Sequence, residues 1–88
     1  MHHLLIYEYV PDVSERRGPY RAAHLAQVRE QRRAGHLSLA GALGDPPTGA
    51  AFVFAGVEPA HIEAFIAADP YVEAGLVPSH RIEVWNLV

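Results

Sequence analysis

The chain has 88 residues, with ten acidic residues against seven arginines, no lysine and no cysteine, and a formal net charge of −3. The lack of cysteine excludes disulfides, thiolate nucleophiles and zinc–thiolate sites, and an acidic chain without a long basic run is not expected to bind nucleic acid. The sequence starts at once with the strand-like HHLLIYEYV, and no apolar run approaches ~20 residues, so we expect a cytoplasmic protein that has no membrane partner.

Small size and high apolar content together predict self-association. A domain of this length buries only somewhat more than ~60% of its unfolded surface, which makes it marginally stable alone. Half of the residues are hydrophobic, a large share for a small soluble chain, so some apolar surface should be buried between subunits. We therefore predict one domain, residues 1–88, that forms a homo-oligomer, most simply a homodimer.

The first half of the chain predicts a strand followed by a helix. Residues 3–10 are rich in β-branched and aromatic side chains and end before a Pro-Asp pair, which predicts a strand that is apolar on both faces. Residues 18–35 predict the first helix: Pro19 suits the first helical position, good helix formers fill the interior, and Gly35 provides the stop.

Two short strands come next. The segment HLSLAGAL, residues 36–43, alternates leucine and glycine with small or polar residues, and AAFVFAG, residues 50–56, follows the turn-rich GDPPTG. We expect the two strands to pair as a hairpin.

A second helix and a last strand complete the pattern. Residues 58–69 begin near Pro59 and should end at Asp69, because the following Pro70 disfavours helical geometry in the residue before it. Residues 80–88 alternate in polarity and predict the final strand.

The element order β-α-β-β-α-β is that of the α+β ferredoxin-like fold, in which two helices cover one face of a four-stranded antiparallel sheet. The other face then needs a cover. Trp85 and Leu87 alternate away from Ile82 and Val84, so a second subunit that packs sheet to sheet would bury them.

His24 and Asp69 are the candidates for chemistry. His24 lies beside the apolar stripe of the first helix, and Asp69 continues the stripe of the second helix, at a helix end where an acid is unfavourable. If the helices lie side by side, the carboxylate would fix the tautomer of the imidazole. The alternatives are an ordinary satisfied helix histidine, and an Asp-Pro turn whose carboxylate binds nearby backbone amides.

Two motifs resemble one known family. The segment YRAAHLAQVREQRRAGHLSLAGAL is similar to the R-x-x-H-L helix and the following G-x-L-x-x-x-G-x-L of YCII-related (YciI-like) proteins, and AADPYVEAGLV resembles their D-P-Y/F-x-x-A-G stretch. The resemblance covers essentially the whole chain in the same element order. It implies a dimeric α+β barrel whose pocket holds a histidine–aspartate pair, which matches His24 and Asp69 here.

The resemblance also suggests residues for binding a substrate. Arg21 matches the arginine of the motif and would bind an anionic group or hold Asp69, although a solvated or structural ion pair is equally consistent. Tyr71 would cap the pocket or fill the core, and Gly41 would admit a ligand to the sheet backbone or mark a bulge. The loop PDVSERRG matches no motif, so it assigns no role to Arg16 or Arg17.

The leading functional prediction is an enzyme that acts on a small oxygenated metabolite, a small-molecule ligand, by elimination, isomerisation or hydrolysis, with His24 moving the proton. Family members with an assigned activity include dehydrochlorinase-type and muconolactone-isomerase-like enzymes. The alternative is a non-catalytic dimeric domain that binds a ligand or partner; a cofactor-free oxygenase rests on fold analogy alone. No cofactor is implied, and the remaining histidines show no metal-ligand spacing, so no metal site is predicted.

Overall fold

Four antiparallel strands form one sheet, and helices cover one of its faces. The computed structural model describes all 88 residues, with strands β1 His2–Glu8, β2 Leu37–Leu43, β3 Gly49–Ala55 and β4 Ser79–Trp85. The helices are α1 Val13–Arg16, α2 Gly18–Arg33, α3 Pro59–Ala68 and α4 Pro70–Glu73. The strand order β2-β3-β1-β4, with every pair antiparallel, confirms the predicted ferredoxin-like α+β fold.

Helix α2 begins and ends for the reasons that the sequence indicated. Pro19 lies in its first turn, and Gly35 has φ +81°, a left-handed conformation that glycine adopts without strain. The amide of His36 donates to the carbonyl of Gln31 at 3.0 Å, and the amide of Gly35 donates to that of Arg32 at 3.0 Å. These two bonds form a Schellman motif, so helical geometry ends at Arg33 rather than at the predicted residue 35.

Two short helices were not predicted. Helix α1 lies in the loop after β1, where the buried Val13 anchors it to the core. Helix α4 starts directly after Asp69, whose side chain accepts a hydrogen bond from the backbone amide of Tyr71 at 3.0 Å. The Asp-Pro pair therefore ends α3, as predicted, and also caps the helix that follows, which is the role of aspartate at an N-cap and proline at the first helical position.

Alternation along the strands separates the two faces of the sheet. On the helix side, Leu5 and Tyr7 of β1 are buried, and Leu5 lies opposite Phe52 of β3 and Ile82 of β4. The side-chain Nε2 of Gln27 donates to the backbone carbonyl of Phe65 at 2.8 Å and ties α2 to α3. The core consists of the buried apolar side chains Leu5, Tyr7, Val13, Leu37, Ala50, Phe52, Phe54, Ile62, Phe65, Ile66, Tyr71, Leu76 and Val77.

The opposite face of the sheet has no helix over it and carries apolar side chains. Leu39 and Trp85 lie on this open face and are 65% and 43% exposed. Strand β4 ends at Trp85 and not at the predicted residue 88, and Trp85 pairs with His2, the first residue of β1. None of the helices has the length and apolar character that crossing a membrane requires.

Candidate active site

Asp69 is the centre of a buried polar cluster between the sheet and the helices. Its side chain is fully buried and accepts three hydrogen bonds. His24 Nδ1 lies 2.8 Å from Oδ1, the amide of Tyr71 lies 3.0 Å from the same oxygen, and the hydroxyl of Tyr7 lies 2.9 Å from Oδ2. These three contacts satisfy both oxygens of a carboxylate that is buried away from water.

His24 is oriented on two sides. Because an ionised carboxylate only accepts, its contact with Asp69 makes Nδ1 the donor and leaves Nε2 as the nitrogen with a free lone pair. The ring of Tyr71 stacks on the imidazole with centroids 3.9 Å apart and an angle of 5° between the planes, and Phe52 meets it edge-on at 6.4 Å. The structure thus brings together His24, Asp69 and Tyr71 from two distant segments.

Tyr7 was not recognised from the sequence as a polar partner in this cluster. It lies on β1 with its ring against Phe52, at a centroid distance of 4.9 Å, and is almost completely buried. Burial, and secondarily the negative charge of Asp69, raise the pKa of the Tyr7 hydroxyl far above its usual value, so it stays a donor. The strand alternation that points Tyr7 toward the helices was its only signal in the sequence.

A cavity of about 220 Å³ opens beside His24, between α2 and strands β2 and β3. The sheet wall of the cavity contains Ala40, Ala42 and Ala50. Ala40 pairs with the buried Phe52, and Ala42 pairs with Ala50, so all three alanines face the helix layer. Larger side chains at these three positions would fill the space under α2, so the alanines create the cavity. The complete lining is Tyr9, Arg17, Arg21, His24, Leu25, Val28, Ala40, Gly41, Ala42, Ala50, Phe52 and Tyr71.

Arg21 lies in the wall of the cavity, and so does Arg17, which sequence reasoning had left without a role. Neither arginine forms an ion pair, and Arg21 therefore does not hold Asp69 in this structure. Burial raises the pKa of the Tyr71 hydroxyl, while the positive charges of Arg17 and Arg21 oppose the rise. Both guanidinium groups are thus close enough to Tyr71 to act on the same edge of the cavity.

Tyr9 adds a second hydroxyl to this wall. Burial raises its pKa well above the usual value, with a further contribution from Tyr71 and a smaller opposing one from Arg17. At physiological pH the phenols of Tyr9 and Tyr71 are neutral and can donate hydrogen bonds.

Tyr71 and Gly41, the last two of the predicted site residues, also line the cavity. Tyr71 is 2% exposed and belongs to the core, but one face of its ring covers His24, so filling the core and lining the cavity are both observed. Gly41 lines the cavity, yet a Cβ at this position would meet no atom within 4 Å. The irregular register of β2 lies between Leu37 and Leu39, and Gly41 is therefore not the site of the bulge.

Comparison with known proteins shows the fold and the family of the chain. No curated protein matches the chain significantly. Among solved structures, the 5-chloro-2-hydroxyhydroquinone dehydrochlorinase TftG from Burkholderia phenoliruptrix AC1100, in complex with 2,5-dihydroxybenzoquinone, has a similar fold. The TM-score is 0.82 at 22% sequence identity, over 98% of this chain and 94% of that one.

The sequence model of one protein family, the YCII-related domain, matches residues 1–86, which is nearly the whole chain and includes both motifs quoted above. The chain belongs to the family of YCII-related domains.

Proposed function

We propose that this protein is an enzyme that moves a proton on a small oxygenated metabolite bound in the cavity, with His24 as the general acid or base. The hydrogen bond of 2.8 Å between His24 Nδ1 and the buried Asp69 carries this proposal. It holds one ring nitrogen, so the other is left to exchange a proton with a ligand. No cofactor is needed for this step.

The environment of His24 suits a proton-transfer group. When Nε2 takes a proton, the imidazolium that forms is stabilised by the adjacent negative charge of Asp69. The stacked ring of Tyr71 restricts rotation of the imidazole, so Nε2 keeps its direction while the substrate changes. Arg21 and the neutral hydroxyl of Tyr71 supply donors for an anionic or phenolic oxygen of the substrate, next to an apolar wall that accepts a ring.

The similar fold of TftG supports elimination as the first reaction to test. A dehydrochlorinase removes a proton and a chloride from its substrate, and the removal of the proton requires a base. In this chain His24 would supply that base, with isomerisation or hydrolysis by the same proton transfer as the other reactions to examine.

The test combines the tautomer of His24 with turnover. In ¹⁵N spectra of the neutral ring, wild type should carry its proton on Nδ1, and Asp69→Asn should move proton population to Nε2, because an amide can also donate. Chloride release from 5-chloro-2-hydroxyhydroquinone and related chlorinated phenols should fall about 10²- to 10⁴-fold in His24→Ala. Tyr20→Phe, a change outside the cavity, is the control. Unchanged turnover in His24→Ala would refute the catalytic role.

A second candidate function is a non-catalytic domain that binds a ligand or partner. One observation favours it: Asp69 caps α4 and also joins that helix to β1 and α2, so the cluster has a structural task of its own. If that task is its only one, Asp69→Asn will lower stability and leave ligand selectivity unchanged.

We further infer that the protein is a homodimer in which two open sheet faces pack against each other. Leu39 and Leu43 of β2 and Trp85 of β4 are exposed large apolar side chains on that face. Apolar side chains exposed on one sheet face of so small a chain are typical of a surface that a partner covers.

A further inference from the structure

Arg17 and Arg21 form a pair of guanidinium groups at one edge of the cavity. Arg17 is the N-cap of α2 and has helical backbone angles, φ −71° and ψ −20°, so the helical spacing of four residues applies between it and Arg21. Residues four apart lie on the same face of a helix, and His24 follows three residues after Arg21 on that face. All three side chains line the cavity.

This placement of two arginines is electrostatically unfavourable. Like charges four residues apart repel each other, and cations in the first turn of a helix oppose the helix dipole. The first turn of α2 contains no acidic residue, and neither arginine has an ion-pair partner elsewhere. By contrast, the nearby Arg16 pairs with Asp12 at 3.5 Å. An anionic group bound between the two cavity arginines would remove both penalties.

The remaining walls indicate what else the ligand carries. Leu25, Val28 and Phe52 provide an apolar surface, and the cavity lining contains no acidic residue. Asp69, bonded to His24, is fully buried and already accepts three hydrogen bonds. The surface that a ligand meets is therefore positive at one edge, and elsewhere it combines apolar side chains with the neutral polar groups of Tyr9, His24 and Tyr71. Guanidinium groups match the planar, two-oxygen geometry of a carboxylate.

We propose that Arg17 and Arg21 together bind a carboxylate of the substrate, so that the enzyme prefers a ring or ring-derived carboxylic acid to a neutral phenol of the same shape. Arg17 is the residue that this inference adds to the site. The inference rests on the proposed function, because it places the substrate in the same cavity as His24.

Direct binding tests the inference without turnover. Calorimetry would compare 2,5-dihydroxybenzoate with 2,5-dihydroxybenzamide, which has nearly the same shape but no charge, on wild type, Arg17→Gln and Arg21→Gln. Wild type should bind the carboxylate at least about tenfold more tightly than the amide, since hydrogen bonds to charged groups are the stronger ones. Each glutamine variant should lose most of this preference and still bind the amide, which shows that its cavity is intact.

Matched controls test whether the preference for the carboxylate comes from the two cavity arginines. Arg29→Gln removes an exposed arginine of the same helix that does not line the cavity, and should keep the preference. Arg17→Lys should keep part of it, because lysine retains the charge without the planar fork. Equal binding of the two probes by wild type, no binding of the carboxylate at millimolar concentration, or an unchanged preference in both glutamine variants would overturn the inference.

The carboxylate site and the catalytic role of His24 can be tested independently of each other. His24→Ala should keep the preference for the carboxylate, because the arginines act without the imidazole. If turnover is unchanged in His24→Ala while the arginine variants lose the preference, the carboxylate site stands and the catalytic role of His24 falls. If His24→Ala abolishes turnover while the preference is absent, the reverse holds.

Discussion

Tyr7 and Asp69, 62 residues apart in the sequence, are joined by a buried hydrogen bond of 2.9 Å between the Tyr7 hydroxyl and Oδ2. His24 occupies the other carboxylate oxygen. The two bonds fix the plane of the carboxylate from opposite sides, one from the sheet and one from α2. The orientation of His24 therefore depends on a strand residue that never touches the imidazole through a polar atom.

Tyr7→Phe should lower the free energy of unfolding by about 1.5 to 3 kcal/mol, the usual contribution of a hydrogen bond to a charged group. Phenylalanine keeps the ring and its contact with Phe52, so the loss measures the hydroxyl alone. Urea denaturation followed by circular dichroism gives the value. Tyr20→Phe, at a 39% exposed position, is the matched control and should change little. Equal stability of the two variants would show that Asp69 does not need this donor.

Asp69→Asn should lower the free energy of unfolding by about 3 kcal/mol or more, because it removes the charge from a buried pair and leaves the donors to that carboxylate poorly matched. The double variant with His24→Ala should lose less than the sum of the two single changes, since both break the same contact of 2.8 Å. Denaturation of the four proteins in this cycle measures the coupling. Additive losses would mean that His24 and Asp69 contribute independently.

High pH should destabilise the protein through its buried tyrosines. Burial raises the pKa values of Tyr7 and Tyr9 in the folded state, so above the ordinary phenol value of about 10 the unfolded chain loses protons that the folded chain keeps. Stability is then unaffected by these groups below pH ~10 and falls above it. Urea denaturation between pH 8 and ~11 would show this fall, and Tyr7→Phe should make it shallower. An identical slope in the variant would contradict the assignment to Tyr7.

Much of the fold followed from local patterns, because the ends of the two long helices had local causes. Pro19 and Gly35 bracket α2, and Asp69 with Pro70 ends α3, each through backbone constraints that act within a few residues. Helix α4 was missed although the same Asp-Pro pair caps it, since the pair was interpreted only as a stop. The far end of β4 was misplaced because its limit is set by the start of β1, a distant part of the chain.

The site was less predictable than the fold, for physical reasons. The stripes on two helices and the family resemblance singled out His24 and Asp69, but a tyrosine in an apolar strand gives no sign that its hydroxyl will meet a carboxylate. Arg17 escaped because its loop matched no motif, although the four-residue spacing to Arg21 was visible. The cavity lies where side chains are small, at Ala40 and Ala42. A pattern of apolar and polar residues does not show where small side chains leave space unfilled.

Ala42→Leu should block ligand binding without unfolding the protein. The residue lines the cavity from β2 and is exposed, so a leucine can extend into the open space without compressing a packed core. We expect a stability change within about 1 kcal/mol and a loss of binding for both dihydroxybenzene probes. Ala26→Leu adds the same volume on an exposed part of α2 outside the cavity and should bind normally. Normal binding by Ala42→Leu would place the ligand elsewhere.

Trp85→Glu should convert the proposed dimer into a monomer of 9.7 kDa, as measured by sedimentation equilibrium. Trp85 lies on the open face of the sheet, where a glutamate would place an unpaired charge inside the sheet-to-sheet interface. Val84→Glu is the matched control. Val84 is the neighbour of Trp85 in the strand and is 56% exposed, but it faces the helix side, opposite His3, so the dimer should persist. Trp85 is the only tryptophan, and its fluorescence in wild type should shift to the red on dilution as the interface opens. A wild type that is monomeric at micromolar concentration would remove the proposed interface, and loss of the dimer in both variants would assign it to a different surface.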